Sequence, residues 1–255
     1  MELSIQALGL LWGVGFVAGF VDSIAGGGGI ITIPALLAAG LDPHLALGTN
    51  KLQATFGSCT ASVHYARQKL VDIRHTIPGI LFTAIGAAIG TLAIQMIHAD
   101  FLRMIIPILL AIIFFYLLFS PDLGHIDRKP RAHPQAFYLA AGLIIGFYDG
   151  FFGPGTGSFW MIAFVVLMGQ NMMKATAHTK IMNATSNIVS LSAFIVGGKV
   201  LWLPGIIMGT GQFVGATLGS RMVILKGTRF VKPIFLGVVA VTIARLIYTT
   251  YIAPQ

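Results

Sequence analysis

Lys51 and Lys180 each stand inside an apolar stretch, 46–65 and 175–196, where an ammonium has no bulk water to solvate it. Burying that charge in lipid costs several kcal/mol, so an intramembrane lysine is by default a functional-site candidate. Each has polar company: Asn50 and Gln53 beside the first, His178, Thr179 and Asn183 beside the second. Two Gly-rich runs, Ala25-Gly26-Gly27-Gly28-Gly29 and Gly153-Pro154-Gly155-Thr156-Gly157, interrupt two further apolar regions. Non-helical backbone in a bilayer is tolerated only where it is buried in protein or lines a wet cavity. The apolar pieces that follow, 30–39 and 158–168, are too short to cross straight and start half-helices instead. Free N–H groups and the positive end of the helix dipole then face mid-membrane, an arrangement that attracts anions. Thr156 and Ser158 add hydroxyl donors. These residues predict a small-anion site built from Gly26, Gly27, Gly28, Gly29, Asn50, Lys51, Gly155, Thr156, Gly157, Lys180 and Asn183.

Asp22 and Asp149 sit just before the two breaks. A carboxylate there accepts N–H bonds from the turn, neutralises a lysine, or carries a coupling proton, for which His178 is a third candidate. A bare carboxylate would repel an anion, so a structural role for the two aspartates is the favoured reading. The bland reading of the lysines pairs them with these aspartates or lets them snorkel to the interface. The bland reading of the glycines is tight helix packing. Ser58 and Asn187 lie seven residues beyond Lys51 and Lys180, two turns further on nearly the same face, and Gln212 and Gln95 are further pore-lining candidates. Cys59 and the ten Met read as packing; Trp12, Trp160 and Trp202 read as membrane anchors.

The elements that must position these groups follow from composition. The 255 residues are 56% hydrophobic and 9% charged, with a mean hydropathy of +0.87, whereas a soluble domain carries about 25% charged residues. Six stretches have the roughly 20 apolar residues a crossing needs: 46–65, 77–97, 101–119, 175–196, 203–225 and 230–251. Regions 3–39 and 137–168 are the Gly-broken ones. No Lys or Arg precedes Lys51, so the N-terminal apolar run lacks the positive start of a signal peptide and is expected to be retained. The pI near 9.9 reflects basic loops between apolar runs rather than a nucleic-acid surface. A disulfide scaffold is excluded by the single Cys59, and no His/Cys cluster with metal spacing or P-loop motif implies a cofactor.

The two halves align around a polar linker at Ser120–Gln135. Gly19-Phe20-Val21-Asp22 matches Gly146-Phe147-Tyr148-Asp149, Gly26 matches Gly153, Ala46 matches Ala175, Lys51 matches Lys180, and Pro78-Gly79 matches Pro204-Gly205. Repeat 1 spans about 3–119, the linker 120–136 and repeat 2 about 137–251, within one membrane domain. Lys and Arg accumulate in cytoplasmic loops. Arg67, Lys69 and Arg74 follow span 46–65, but Lys199 alone follows its counterpart. Arg103 alone marks the next hairpin, against Lys226, Arg229 and Lys232 in the second half. Equivalent loops therefore lie on opposite sides. The expected fold is an all-α polytopic membrane protein of two inverted repeats, each a Gly-broken re-entrant helix hairpin plus three transmembrane helices, with both termini outside. The alternative makes each broken region a kinked single crossing, giving parallel repeats and eight crossings.

The segments Gly19-Phe-Val-Asp-Ser-Ile-Ala-Gly-Gly-Gly-Gly, Ile33-Pro34, Ala46-Leu-Gly-Thr-Asn-Lys51, Gly146-Phe-Tyr-Asp-Gly-Phe-Phe-Gly-Pro-Gly-Thr-Gly and Lys174-Ala-Thr-Ala-His-Thr-Lys180 resemble the TauE/SafE sulfite exporter family, also called the sulfonate uptake permease family, and within it the YfcA-type branch. The resemblance runs over nearly the whole chain. It implies a bacterial inner-membrane permease for a small anion such as sulfite, sulfoacetate or another sulfonate. The second loop departs from the poly-Gly form at Pro154 and Thr156, so the half-sites are not expected to be equivalent. The expected function is a secondary transporter working by alternating access, with a small anion and the lipid bilayer as partners and protons as the coupling ion. A passive anion channel shares these features, and a membrane-embedded enzyme acting on a sulfur compound is the more distant alternative.

Overall fold

The computed structural model describes residues 5–119 and 126–226, which form nine helices and no strand among the described residues. They are α1 (Ile5–Ala25), α2 (Gly28–Ala38), α3 (Pro43–Arg67), α4 (Ile73–Gln95), α5 (Ala99–Leu118), α6 (Pro134–Phe151), α7 (Thr156–Leu167), α8 (Met172–Val196) and α9 (Trp202–Lys226). Five of the six expected spans coincide with α3, α4, α5, α8 and α9, and the sixth, 230–251, lies outside the described residues. Among the described residues, three helices are long and apolar enough to cross a membrane by length and composition: Ile5–Ile24, Ile73–Gln95 and Ala99–Tyr116. Helices α3, α8 and α9 have 25 residues each, about 37 Å at 1.5 Å per residue. Their lower hydropathy has a local cause in α3 and α8, which bury Asn50, Lys51, Gln53 and Ser58, and Lys180, Asn183, Ser186 and Asn187.

Local signals set the boundaries. Asp42 accepts the His44 N–H at 3.0 Å with Pro43 opening α3, and Asn171 accepts the Lys174 N–H at 3.0 Å to open α8. A capping oxygen of this kind satisfies one of the donors a helix start leaves free. The two Gly-rich breaks are narrower than expected. Only Gly26 and Gly27 separate α1 from α2, and Phe152 to Gly155 separate α6 from α7. Gly28, Gly29, Thr156 and Gly157 are already first-turn residues, because Gly27 (φ 118°) and Gly155 (φ 80°) reverse the chain as N-caps.

Each short helix runs back along the long one before it. Leu36 and Leu41, at the end of α2 and just past it, pack with Leu11 near the start of α1. The Phe137 ring at the start of α6 lies 5.2 Å from that of Phe164 near the end of α7. A single kinked crossing would hold these ends apart.

Helices α3 and α8 pack on each other, α1 lies along α9, and α4 lies along α6. Glycines permit the close contacts: Gly19 faces the Gln212 backbone, and Gly86 faces the backbone of Leu143 and Phe147. Ile77, Leu81, Ile85, Ile89 and Leu92 form the exposed apolar face of α4. Trp12 and Trp202 are exposed, consistent with anchors, but Trp160 is fully buried with Phe137 and Phe164. Its sequence neighbours gave no sign of this, since the cluster forms only when α7 folds back on α6. Of the linker, 120–125 lie outside the described residues. The remainder is fastened to the α7–α8 turn by Arg128 N–H to Gly169 O (2.7 Å), Arg131 N–H to Leu167 O (2.8 Å) and Lys174 to Asp127 (2.5 Å).

Candidate functional site

Lys51 and Lys180 each occupy the ninth position of a 25-residue helix, and their side chains are 2% and 0% exposed. Neither snorkels. Each meets the aspartate of the other half of the chain: Lys51 Nζ lies 2.7 Å from Asp149 Oδ1, and Lys180 Nζ lies 3.1 Å from Asp22 Oδ2. The ion pairs cross between the halves, joining α3 to α6 and α8 to α1.

The surroundings of the two pairs differ. Asp22 Oδ1 accepts the N–H groups of Gly27 (3.0 Å) and Gly28 (3.2 Å), so this carboxylate caps the start of α2. Asp149 accepts no N–H from its own loop. Its Oδ2 accepts the Ser186 hydroxyl instead, in a short hydrogen bond. Lys51 Nζ also donates to the Asp149 carbonyl (2.5 Å) at the end of α6 and to Asn187 Oδ1 (3.4 Å), while Asn187 Nδ2 donates to Ser58 Oγ (3.2 Å). The ammonium thus closes the negative end of the α6 dipole.

The two loops touch. Gly26 has φ 71°, and a Cβ built on it would stand 2.5 Å from the Gly157 Cα, so no other residue fits this crossing without moving a backbone. Gly29 faces Pro154. Between the loops and helices lies a cavity of about 30 Å³, lined by Asp22, Gly27, Gly28, Gly29, Asn50, Lys51, Ala54, Asp149, Gly153, Thr156, Gly157, Asn183, Asn187 and Gln212. It has room for about one or two waters. Two buried amides on this wall, Asn183 Oδ1 and Gln212 Oε1, have no hydrogen-bond partner. A buried amide oxygen without a partner is costly; it can only accept, so an anion would have to meet the amide NH2 groups instead, and Gln212 Oε1 lies against Gly57.

Most of the expected site residues meet here. Asn50 lines the cavity while its Oδ1 accepts from Thr32 Oγ1 (2.6 Å) and Gln53 Nε2 (2.7 Å). Thr156 lines it with its hydroxyl donating to Gly153 O (2.6 Å). Gly26 and Gly155 shape the loops without lining the cavity, and Lys180 stands behind Asp22. His178 is not brought to the site. It is bonded to Lys174 O (2.9 Å) with its ring against Phe164, because two residues from Lys180 is about 200° around a helix. Gln95 is also elsewhere, donating to Thr91 O at 3.2 Å. Gln212 and Asn187 line the cavity, and Ser58 accepts from Asn187. Ser186 was not expected: it is three residues past Asn183, but nothing in its neighbours distinguishes it from the other hydroxyls of α8.

The model of the family described as "Sulfite exporter TauE/SafE" matches residues 11–246. The chain belongs to the TauE/SafE family. It is 50% identical over 244 residues to "Probable membrane transporter protein YfcA" of Escherichia coli strain K12, covering 96% of this chain and 91% of the relative. A "Probable membrane transporter protein" of Haemophilus influenzae is 45% identical over 248 residues, 97% of each chain. "Probable membrane transporter protein YunE" of Bacillus subtilis is 23% identical over 260 residues, 92% of this chain and 95% of the relative. No solved structure matches. This TauE/SafE chain is a membrane transporter and not an enzyme.

Proposed function

We propose that the chain is a secondary transporter that moves a small anion, of the sulfite or sulfonate class, across the bacterial inner membrane by alternating access between two inverted repeats. The observation that carries this reading is the two crossed ion pairs, with Asp22, Lys51 and Asp149 on the wall of a cavity otherwise lined by glycine loops, half-helix starts and amide side chains. The four charges sum to zero, so an anion that takes a carboxylate's place at a lysine leaves the site neutral only if the displaced carboxylate takes up a proton. The family's name, sulfite exporter, supports the sulfur oxyanion class.

Two features support inverted repeats. The α1–α2 and α6–α7 hairpins return the chain toward the side it came from, and the three helices α3, α4 and α5 that follow the first hairpin are an odd number of crossings, so the second hairpin starts from the opposite side. The Lys and Arg bias of equivalent loops also reverses between halves. Alternating access follows from rocking one half against the other. The loops that meet at Gly26 and Gly157 are the parts that must separate to admit an anion.

The test is thermal stabilisation of the purified protein by sulfite, sulfate, thiosulfate, sulfoacetate, taurine and carboxylates, repeated with Lys51→Ala and Lys180→Ala. Selective stabilisation by one anion, lost in both variants, is expected. Stabilisation that survives both substitutions, or none in the wild type, overturns the site. Accumulation of the stabilising anion against its gradient in proteoliposomes separates a transporter from a channel.

A further inference from the structure

We infer that Asp149, and not Asp22, carries the coupling proton, and that its protonation releases Lys51 to the anion; this rests on the anion-transport reading above. The two aspartates occupy matched positions in the two halves, but their hydrogen bonds give them different capacities. The described partners of Asp22 are all donors that cannot turn round: the Gly27 and Gly28 N–H groups on Oδ1, the Lys180 ammonium on Oδ2. A proton added to Asp22 finds no acceptor among them. Lys180 has Asp22 as its described acceptor, so it would be left buried and unpaired, which is strongly unfavourable.

Asp149 differs at two places legible in the sequence. The residue matching Gly27 is Pro154, which has no N–H to give. The residue matching Gly57 is Ser186, whose hydroxyl sits on Asp149 Oδ2. A hydroxyl donates or accepts. The Ser186 proton also has the carbonyls of Met182 and Asn183 within reach, each at 3.1 Å. When Asp149 takes a proton at Oδ2, its new O–H donates to Ser186 Oγ, and the serine proton turns to one of those carbonyls. Every group stays satisfied. Lys51 then loses its counter-charge but keeps Asp149 O and Asn187 Oδ1 as neutral acceptors. It remains held at the cavity wall with its positive charge uncompensated, which is what an entering anion requires. Deprotonation restores the ion pair and expels the anion.

The charged and titratable neighbours of Asp149 are few. Lys51 reaches it from α3. Asp22 lines the same cavity from α1 with Lys180 of α8 bound to it, and Tyr148 on α6 donates its hydroxyl to Pro154 O. Helix α7 has no titratable side chain; Arg74 and His75 of α4 lie in its first turn, whereas Ala87 and Thr91 face Gly150.

Infrared difference spectra between pH 8 and pH 5.5, on the purified transporter without any anion, read the proton directly. We expect a protonated-carboxyl carbonyl band that disappears in Asp149→Asn and persists in Asp22→Asn. Ser186→Ala keeps the carboxyl but removes its hydroxyl acceptor, so the band moves to higher frequency; Ser58→Ala leaves it in place. A band lost in Asp22→Asn and kept in Asp149→Asn, or no band at all, overturns the inference. The second arm uses radiolabelled sulfite in proteoliposomes. Wild type accumulates it with an acid-outside gradient, whereas Asp149→Asn loses accumulation but retains exchange of internal for external sulfite. An infrared band at Asp149 without sulfite uptake by the wild type leaves the proton site standing and counts against the sulfite reading instead.

Discussion

Lys51 Nζ and Asp149 Oδ1 meet at 2.7 Å although 98 residues of chain separate them, and both side chains are almost wholly buried. The bond joins α3 of the first half to the end of α6 in the second. Removing one partner of such a pair strands a charge at a cost of about 3–5 kcal/mol, whereas removing both is far milder. Lys51→Ala, which leaves the Asp149 carboxylate buried without its counter-charge, is expected to lower the unfolding temperature of the detergent-solubilised protein sharply. Asp149→Ala, which leaves Lys51 its two neutral acceptors, is expected to lower it less, and the double variant to recover much of the Lys51→Ala loss. Equal and additive effects in a double-mutant cycle would show that the pair contributes nothing as a pair.

The crossing of the two loops predicts a steric hierarchy. At Gly26 a methyl group would stand 2.5 Å from Gly157 Cα in a left-handed backbone, so Gly26→Ala must push the loops apart. Gly198 also has positive φ (63°) but nothing within 4 Å, and alanine there meets only the left-handed penalty of about 1–2 kcal/mol. Gly198→Ala should lower the unfolding temperature by a few degrees and leave anion binding intact. Gly26→Ala should abolish binding, and comparable behaviour of the two would remove the reason for the contact.

The linker gives a pH prediction. The Lys174 ammonium, hydrogen-bonded to Asp127, and the Asn171 N–H hold that carboxyl below the usual range. With the folded value below the unfolded one, near 3.9, the pair's stabilisation is complete above the unfolded value and is lost as pH falls through the folded one. Both side chains are nearly half exposed, so the effect is small and salt-sensitive. Protease cleavage of the linker should stay constant from pH 7 to about 5 and rise only below about pH 4, whereas Asp127→Asn raises it at every pH.

The reversed loop charges predict sidedness. A cysteine introduced as Lys199→Cys should react with an impermeant thiol reagent added outside intact cells, and one introduced as Lys69→Cys only after permeabilisation, in a background of Cys59→Ala. A reporter fused after Gln255 should be silent if it requires the cytoplasm. Labelling of both cysteines from the same side would favour parallel halves.

Much of this was legible along the chain because membranes impose strong local rules. Apolar length marked α3, α4, α5, α8 and α9, and the Gly runs marked the two breaks. Lys51, Asn50, Asn183 and the glycines were identifiable because polar or helix-breaking residues stand out in an apolar background. His178 stood out equally and is elsewhere, since residue type does not tell which side of a helix faces the cavity. Ser186 did not stand out and is in contact with Asp149.

The sequence by itself determined the membrane class, the places of five long helices and of the two breaks, and the short set of charges that need partners, because each depends on composition or spacing within a few turns. Only the tertiary structure decided that each lysine pairs with the aspartate of the other half, that Trp160 is buried, and that Asp22 and Asp149 differ in what they can accept. Those outcomes depend on which helices lie side by side. In a bilayer that choice is made by close packing of small residues and by the need of every buried charge for a partner, relations that no window of neighbouring residues contains.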